Sequence, residues 1–260
     1  TGCDTVQLFS RNPRGWMAKP LTLEDVLEVL AKEKPDSPLT TSVKWRYPAV
    51  HPEGRKFLVI AATATFFAWL LDWDFLTFIL VGLTIWVAAF FRDPIRTTPS
   101  DPKLIVSPAD GLVTMIARVP APPELRGDLG DGEFTRVSVF MSVFDVHINR
   151  SPIPGKIVDM IYSPGKFLMA TNEKASLVNE QNALTIQGEK ITVVCKQIAG
   201  ILARRVVCWK GKGDNLGLGE RFGMIKFSSR TDVLLPANVK ITVKEGQRVR
   251  GGTTVIGRIS

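Results

Sequence analysis

Two stretches, Phe57–Leu71 and Phe75–Phe91, are almost continuously apolar, and Asp72-Trp-Asp74 stands between them. One helix over 57–91 would be too long for a bilayer and would bury two carboxylates. Each run alone falls short of the ~20 residues that cross a bilayer upright. Two helices joined by a tight polar turn satisfy both constraints: a hairpin that enters a membrane and returns. The competing reading, a buried helical pair in a soluble core, is disfavoured because neither run has a polar face. Lys44, Arg46, Arg55 and Lys56 precede the hairpin, and Arg92 and Arg96 follow it. Both ends are therefore expected on the cytoplasmic side of the inner membrane, with the rest of the chain facing the cytoplasm.

Residues 1–42 read as a loose extension interrupted by Pro13, Pro20, Pro35 and Pro38. Thr22–Lys32 has helical spacing with Thr22 as N-cap. No apolar stretch with a small-residue cleavage site marks a signal peptide here. Residues 43–96 form a second region, an interfacial segment plus the hairpin. Val43–Lys56 is basic and aromatic, as suits a lipid headgroup layer. His51 within it is expected at the interface or surface rather than in catalysis.

The net charge of +8 points to an anionic surface as partner. Aromatic residues are not interleaved with Lys and Arg, which disfavours nucleic acid, and the apolar runs favour the membrane. Cys3, Cys195 and Cys208 are dispersed and odd in number, so they form neither a disulfide framework nor a CxxC site, and a reducing compartment is the easier inference. With His51 and His147 as the only histidines, no protein-built transition-metal site is expected.

Beyond the linker Thr97–Pro102 the texture changes. Short runs of Val, Ile, Thr and Phe, broken by Gly and Pro, indicate a mainly β (α+β) domain over 97–260. Strands are expected at 104–107, 111–118, 135–141, 154–161, 183–187, 190–197, 203–209, 222–227, 231–235, 239–243 and 253–258. Val106–Val113 and Val243–Gly257 read as related units, the second like the Gly-punctuated half of a biotinyl or lipoyl-hybrid barrel. No Lys sits at a carrier-like hairpin tip, so no attached biotin or lipoyl group is expected.

Three places carry candidate chemistry. In Phe222–Pro236 two apolar runs meet at Ser228-Ser229, which puts a hydroxyl nucleophile on a turn inside a sheet. Asp110 follows a strand in Ser107-Pro-Ala-Asp-Gly111, where an Asx-turn is the plain alternative. Asp145, His147 and Asn149 alternate with Val146 and Ile148, and at strand spacing they would share one face. A Ser–His–Asp arrangement from separate segments would activate Ser229. The absence of Gly-x-Ser-x-Gly excludes an ordinary α/β-hydrolase.

Seven motifs stand in order from Phe91 to Pro236: Phe91-Arg-Asp-Pro94, Ser107–Gly111, Phe140–Pro152, Tyr162–Phe167, Lys174-Ala-Ser176, Gln197–Arg205 and Glu220–Pro236. Together they resemble the short, membrane-hairpin form of the phosphatidylserine decarboxylase family, over roughly 45–260. The resemblance implies a zymogen that makes its own pyruvoyl cofactor. A Gly-Ser pair self-cleaves: the serine hydroxyl attacks the preceding carbonyl to give an ester, and β-elimination leaves the pyruvoyl group. Carried over, the cut falls between Ser228 and Ser229, giving a β chain of 1–228 and an α chain of 229–260 that stay associated. Asp110 and His147 match the orienting acid and the general base. Where some members carry a second His, this chain has Arg150.

The resemblance further implies a Schiff base between the pyruvoyl carbonyl and the lipid amine, loss of CO2 and release of phosphatidylethanolamine. Asn149, Arg150, Arg204 and Arg205 are candidate substrate contacts. For Arg204 and Arg205 a basic lipid-facing role stands beside phosphate binding. The expected partners are a phospholipid substrate and an anionic membrane surface, and a homodimer is allowed. Two departures stand out: Ser228 replaces the family's Gly, which is expected to impair cleavage, and Gln181 stands where Arg is expected. The alternative from another class is a catalytically inactive, membrane-anchored barrel that serves as a binding or adaptor module.

Overall fold

The computed structural model describes residues 48–121, 132–169, 175–200, 205–226 and 229–259. The expected helix at Thr22–Lys32, Arg204 and Ser228 lie outside them.

The chain runs through β1 (Ala49–Val50), helices α1 (Pro52–Leu70) and α2 (Asp74–Phe90), and β2 (Arg92–Asp93), which pairs antiparallel with β1. There follow β3 (Leu104–Val106), β4 (Gly111–Pro120), β5 (Glu133–Met141), β6 (Ile148–Arg150), β7 (Gly155–Ser163) and the short helix α3 (Ala175–Val178). The remainder is β8 (Gln181–Gln187), β9 (Thr192–Ala199), β10 (Arg205–Cys208), β11 (Asn215–Leu216), β12 (Arg221–Lys226), β13 (Ser229–Pro236), β14 (Val239–Ile241), β15 (Arg248–Val249) and β16 (Val255–Ile259). Every strand expected from the Val, Ile, Thr and Phe runs has a counterpart here. The list of expected strands lacks β1, β2, β6, β11 and β15, each only two or three residues long.

The helical pair forms as the apolar runs require. Pro52 opens α1, and His51 caps it, its Nδ1 accepting the Glu53 amide at 3.2 Å. The polar turn after α1 bends at Asp72, whose φ of 53° is the left-handed conformation that Asp tolerates. Thr65 and Thr84 meet between the helices at 3.0 Å, and each also bonds a carbonyl of its own helix. These two hydroxyls are thus satisfied without water.

At its base the hairpin is packed into the β domain. Val87, Phe90 and Phe91 bury against Val146, Ile148 and Met224. Gly54 is required there, because a Cβ would stand 2.3 Å from Phe91 Cβ. Toward the turn the hairpin is bare: Trp73, Phe75 and Phe78 are 56%, 79% and 79% exposed. No helix among the described residues is long and apolar enough to cross a membrane.

The β domain has an eight-stranded antiparallel sheet in the order β11-β7-β8-β9-β13-β5-β4-β15, a three-stranded sheet β10-β12-β6 and another, β14-β16-β3. Val139, Met141, Cys195, Ala199, Phe222, Ile225 and Val233 belong to the main core. The two Gly-punctuated units pair with one another: β16 lies against β3, and β15 against β4. Between those contacts the Gly252 amide donates to the Ser107 carbonyl, and the Ser107 amide donates to the Thr254 carbonyl.

Candidate active site

The two apolar runs around Ser228-Ser229 do not continue one strand. β12 ends at Lys226 in the three-stranded sheet, and β13 begins at Ser229 in the centre of the eight-stranded sheet. The chain changes sheets where the sequence shows its kink. β13 is flanked by β5 and β9, so Ser229 sits between Met141 and Ala199. It is fully buried, and its Oγ lies 4.0 Å from Met141 Sδ. Just before the sheet change, the buried Lys226 forms an ion pair of 2.7 Å with Glu53 in the first turn of α1. The segment leading to Ser229 is thereby tied to the hairpin base.

His147 also lies at that base. Its ring packs on Phe90, with centroids 4.3 Å apart, and it is fully buried. Nδ1 is 2.9 Å from the Asp145 carbonyl oxygen. A carbonyl only accepts, so the proton sits on Nδ1 and Nε2 presents a lone pair. Nε2 has no hydrogen-bond partner among the described residues. Burial lowers the imidazole pKa from 6.5 to about 4, against the opposing pull of Asp145. At neutral pH this histidine is an uncharged base.

The expected shared face of Asp145, His147 and Asn149 is corrected by the structure. Residues 142–147 form a turn, and the strand starts only at Ile148. Asp145 bonds the Ser142 amide and hydroxyl at 2.8 and 2.7 Å and pairs with Arg248, so its carboxylate serves the turn and not the imidazole. Local side chain-to-backbone bonding outcompetes the extended conformation that the alternation implied.

Asp110 is held by Arg96 at 2.6 Å and accepts the Gly251 amide at 2.7 Å. Among the described residues it bonds neither His147 nor Ser229. Arg150 is buried. Its guanidinium donates to the carbonyls of Gly219 and Pro94 at 3.1 and 3.2 Å and lies 3.6 Å from Asp93. Arg205 is exposed at the start of β10, opposite Lys226.

Asn149 is fully buried, and both ends of its amide are engaged. Nδ2 donates to Thr231 Oγ1 at 3.1 Å, and Oδ1 accepts from Gln197 Nε2 at 2.8 Å. Gln197 in turn accepts from Asn182 at 3.1 Å. The sequence reading passed over Thr231, Gln197 and Asn182. Their signal was polar side chains inside otherwise apolar strands, which burial makes costly unless they are paired. A cavity of about 630 Å³ opens elsewhere, between Lys103, Ile153, Lys156, Lys190 and Leu216, and includes none of these residues.

The protein is thus, by class, a mainly β domain with a buried polar site beneath an exposed apolar helical hairpin. The sequence pattern of the family described as phosphatidylserine decarboxylase matches residues 83–257. A phosphatidylserine decarboxylase proenzyme of Zymomonas mobilis is 52% identical over 226 residues, covering 84% of this chain and 90% of that protein. One from Novosphingobium aromaticivorans is 50% identical over 223 residues, covering 83% and 88%. One from Ruegeria pomeroyi is 51% identical over 210 residues, covering 80% and 94%. The chain belongs to the phosphatidylserine decarboxylase family.

Proposed function

We propose that this chain decarboxylates phosphatidylserine to phosphatidylethanolamine, using a pyruvoyl group made from its own Ser229. The observation that carries the reading is Ser229 itself, fully buried at the head of a central strand where the chain passes from one sheet to the other. Relatives named as proenzymes support a maturation step.

In that step Ser229 Oγ adds to the carbonyl carbon of residue 228, and the amide nitrogen leaves it, giving an ester. Loss of the Cα proton and the ester oxygen frees residues 1–228 as a carboxylate-ended chain. Hydrolysis of the resulting dehydroalanine releases ammonia and leaves a ketone. The surroundings suit that product. Ser229 is bordered by a thioether and a methyl group. A plain hydrolytic cut would leave a charged ammonium in this buried place, whereas a pyruvoyl end carries no charge to desolvate.

The pyruvoyl carbonyl supplies an electrophile for the substrate amine and an electron sink for the carbanion left by CO2. The chain's own residues do the rest. His147 Nε2 takes or returns a proton beneath the hairpin, with Nδ1–H held by the Asp145 carbonyl. Asp110 orients the site through Arg96 and the Gly251 amide rather than by touching the imidazole. Arg205, with Arg204 before it, offers positive charge to a lipid phosphate. The bare apolar hairpin docks the domain on an anionic membrane surface at its cytoplasmic side, which brings a headgroup to the level of His147.

Denaturing electrophoresis and mass spectrometry of purified protein test this reading. Fragments 1–228 and 229–260 are expected, with the smaller one trapped by borohydride plus an amine, and phosphatidylethanolamine formed from phosphatidylserine vesicles. An active preparation consisting wholly of intact chain would overturn it. Ser228 in place of Gly favours the inactive adaptor module, which requires an intact chain and no turnover.

A further inference from the structure

His147 and Asn149 are two residues apart, as are Ser229 and Thr231. The Asn149–Thr231 hydrogen bond therefore joins the segment that carries the base directly to the strand that carries the serine. These segments belong to different sheets: Asn149 lies in β6, at the edge of a three-stranded sheet, and Thr231 in β13, at the centre of the eight-stranded one. No backbone ladder joins β6 to β13 directly, so the side chains between them bear on their separation.

Gln197 completes the link. It lies opposite Thr231 across the β9–β13 ladder, and its Nε2 reaches Asn149 Oδ1 at 2.8 Å and the Val207 carbonyl of β10 at 3.4 Å. Asn182 in β8 holds its Oε1. Asn149, Gln197 and Thr231 are fully buried, and Asn182 nearly so. Gly223 is matched to this arrangement. It pairs with Asn149 in the β6–β12 ladder, and a Cβ there would stand 2.8 Å from Gln197 Nε2 and 2.4 Å from the Val207 oxygen. The backbone of β12 is bare at the point where the amide must pass.

We infer that Asn149, Gln197 and Thr231 are positioning residues, a buried amide pin that fixes the His147 segment against the Ser229 strand. The inference rests on the reading of His147 and Ser229 as the working pair. Such a pin acts on rate through geometry, because small displacements of reacting groups are costly.

The test uses the full-length chain carrying Ser228→Gly, so that the maturation rate is measurable. Thr231→Val keeps the β-branched shape and removes the acceptor; Thr231→Ser keeps the acceptor. Thr231→Val is expected to slow fragment formation and to lower kcat for phosphatidylserine by roughly 10- to 100-fold with KM little changed, while Thr231→Ser stays near the parent. Equal rates for Thr231→Val and parent would overturn the pin, as would equal slowing in both variants, since the effect would then not follow the hydroxyl acceptor. Should Thr231→Val fail to fold, Gln197→Met carries the test by keeping the length of the side chain and removing its amide: a parental rate overturns the pin, and a slowed one in a folded chain supports it. Absence of cleavage and turnover in the Ser228→Gly parent counts against the Ser229 reading itself, a different outcome from any of these.

Discussion

Asn149 donates to Thr231 across 3.1 Å of fully buried space, and this bond connects two sheets that share no backbone pairing at that point. Unpaired, either group would carry the cost of burying a polar atom, about 1–3 kcal/mol. The link therefore holds only when β6 and β13 are correctly placed, which makes it a check on the geometry around His147 and Ser229.

Replacing Ser228 by Gly is expected to speed self-cleavage. Gly accepts backbone conformations closed to other residues and crowds the scissile carbonyl least. Time courses of fragment appearance on denaturing gels measure the effect. Complete and equally fast conversion of the chain with Ser228 would count against it.

His147 gives stability a pH dependence whose sign follows from its burial. The folded chain keeps the imidazole neutral down to about pH 4, whereas the unfolded chain protonates near 6.5. Between those values the unfolded state binds more protons, so stability is full above the upper value and falls as pH drops through the window. The expected loss is about 3 kcal/mol. Urea denaturation of wild type and His147→Gln from pH 7 to 4 reads it as the difference between the two slopes, since carboxylates titrate in both. Parallel slopes would refute it. The same variant should lower turnover by roughly 100-fold or more.

The tip of the hairpin should carry membrane affinity without holding the fold. Phe75 and Phe78 are each 79% exposed, so replacing both with Ser removes apolar surface that faces mostly outward. Partition to anionic vesicles in flotation assays is expected to fall roughly tenfold or more per residue, with an unchanged midpoint of β-domain unfolding. Unchanged flotation would argue against membrane docking by this surface.

Arg230 and Asp232 form an ion pair of 2.9 Å on β13 with 2% and 1% of their side chains exposed. Ser176 of α3 bonds both. Breaking such a pair strands a buried charge, so Asp232→Leu should cost about 3–5 kcal/mol. Adding Arg230→Met to that variant should recover most of the loss. Thermal unfolding of the two variants measures this, and an equally unstable double variant would contradict it.

Much of the molecule is legible in its sequence. The strands were readable because β-branched runs end at Gly and Pro, and the helical pair because two apolar stretches flank a pair of aspartates. His147 stood out as the one histidine of the β region. What misled was alternation: Asp145, His147 and Asn149 have strand spacing, but the Asp145 carboxylate bonds Ser142 and folds residues 142–147 into a turn. For Arg150, a candidate substrate contact, the structure adds that its donors reach two carbonyls and Asp93. Nothing local announces such a partner 56 or 69 residues away.

By itself the sequence determined the helical pair, the longer strands and the serine to watch, since periodicity, turn chemistry and motif order are properties of neighbours along the chain. The tertiary structure alone decided that the kink before Ser229 is a change of sheet, and that Asn149, Gln197 and Thr231 meet behind it. It also set the pKa of His147. Those outcomes depend on which distant groups exclude water together, and burial is a property of the folded whole.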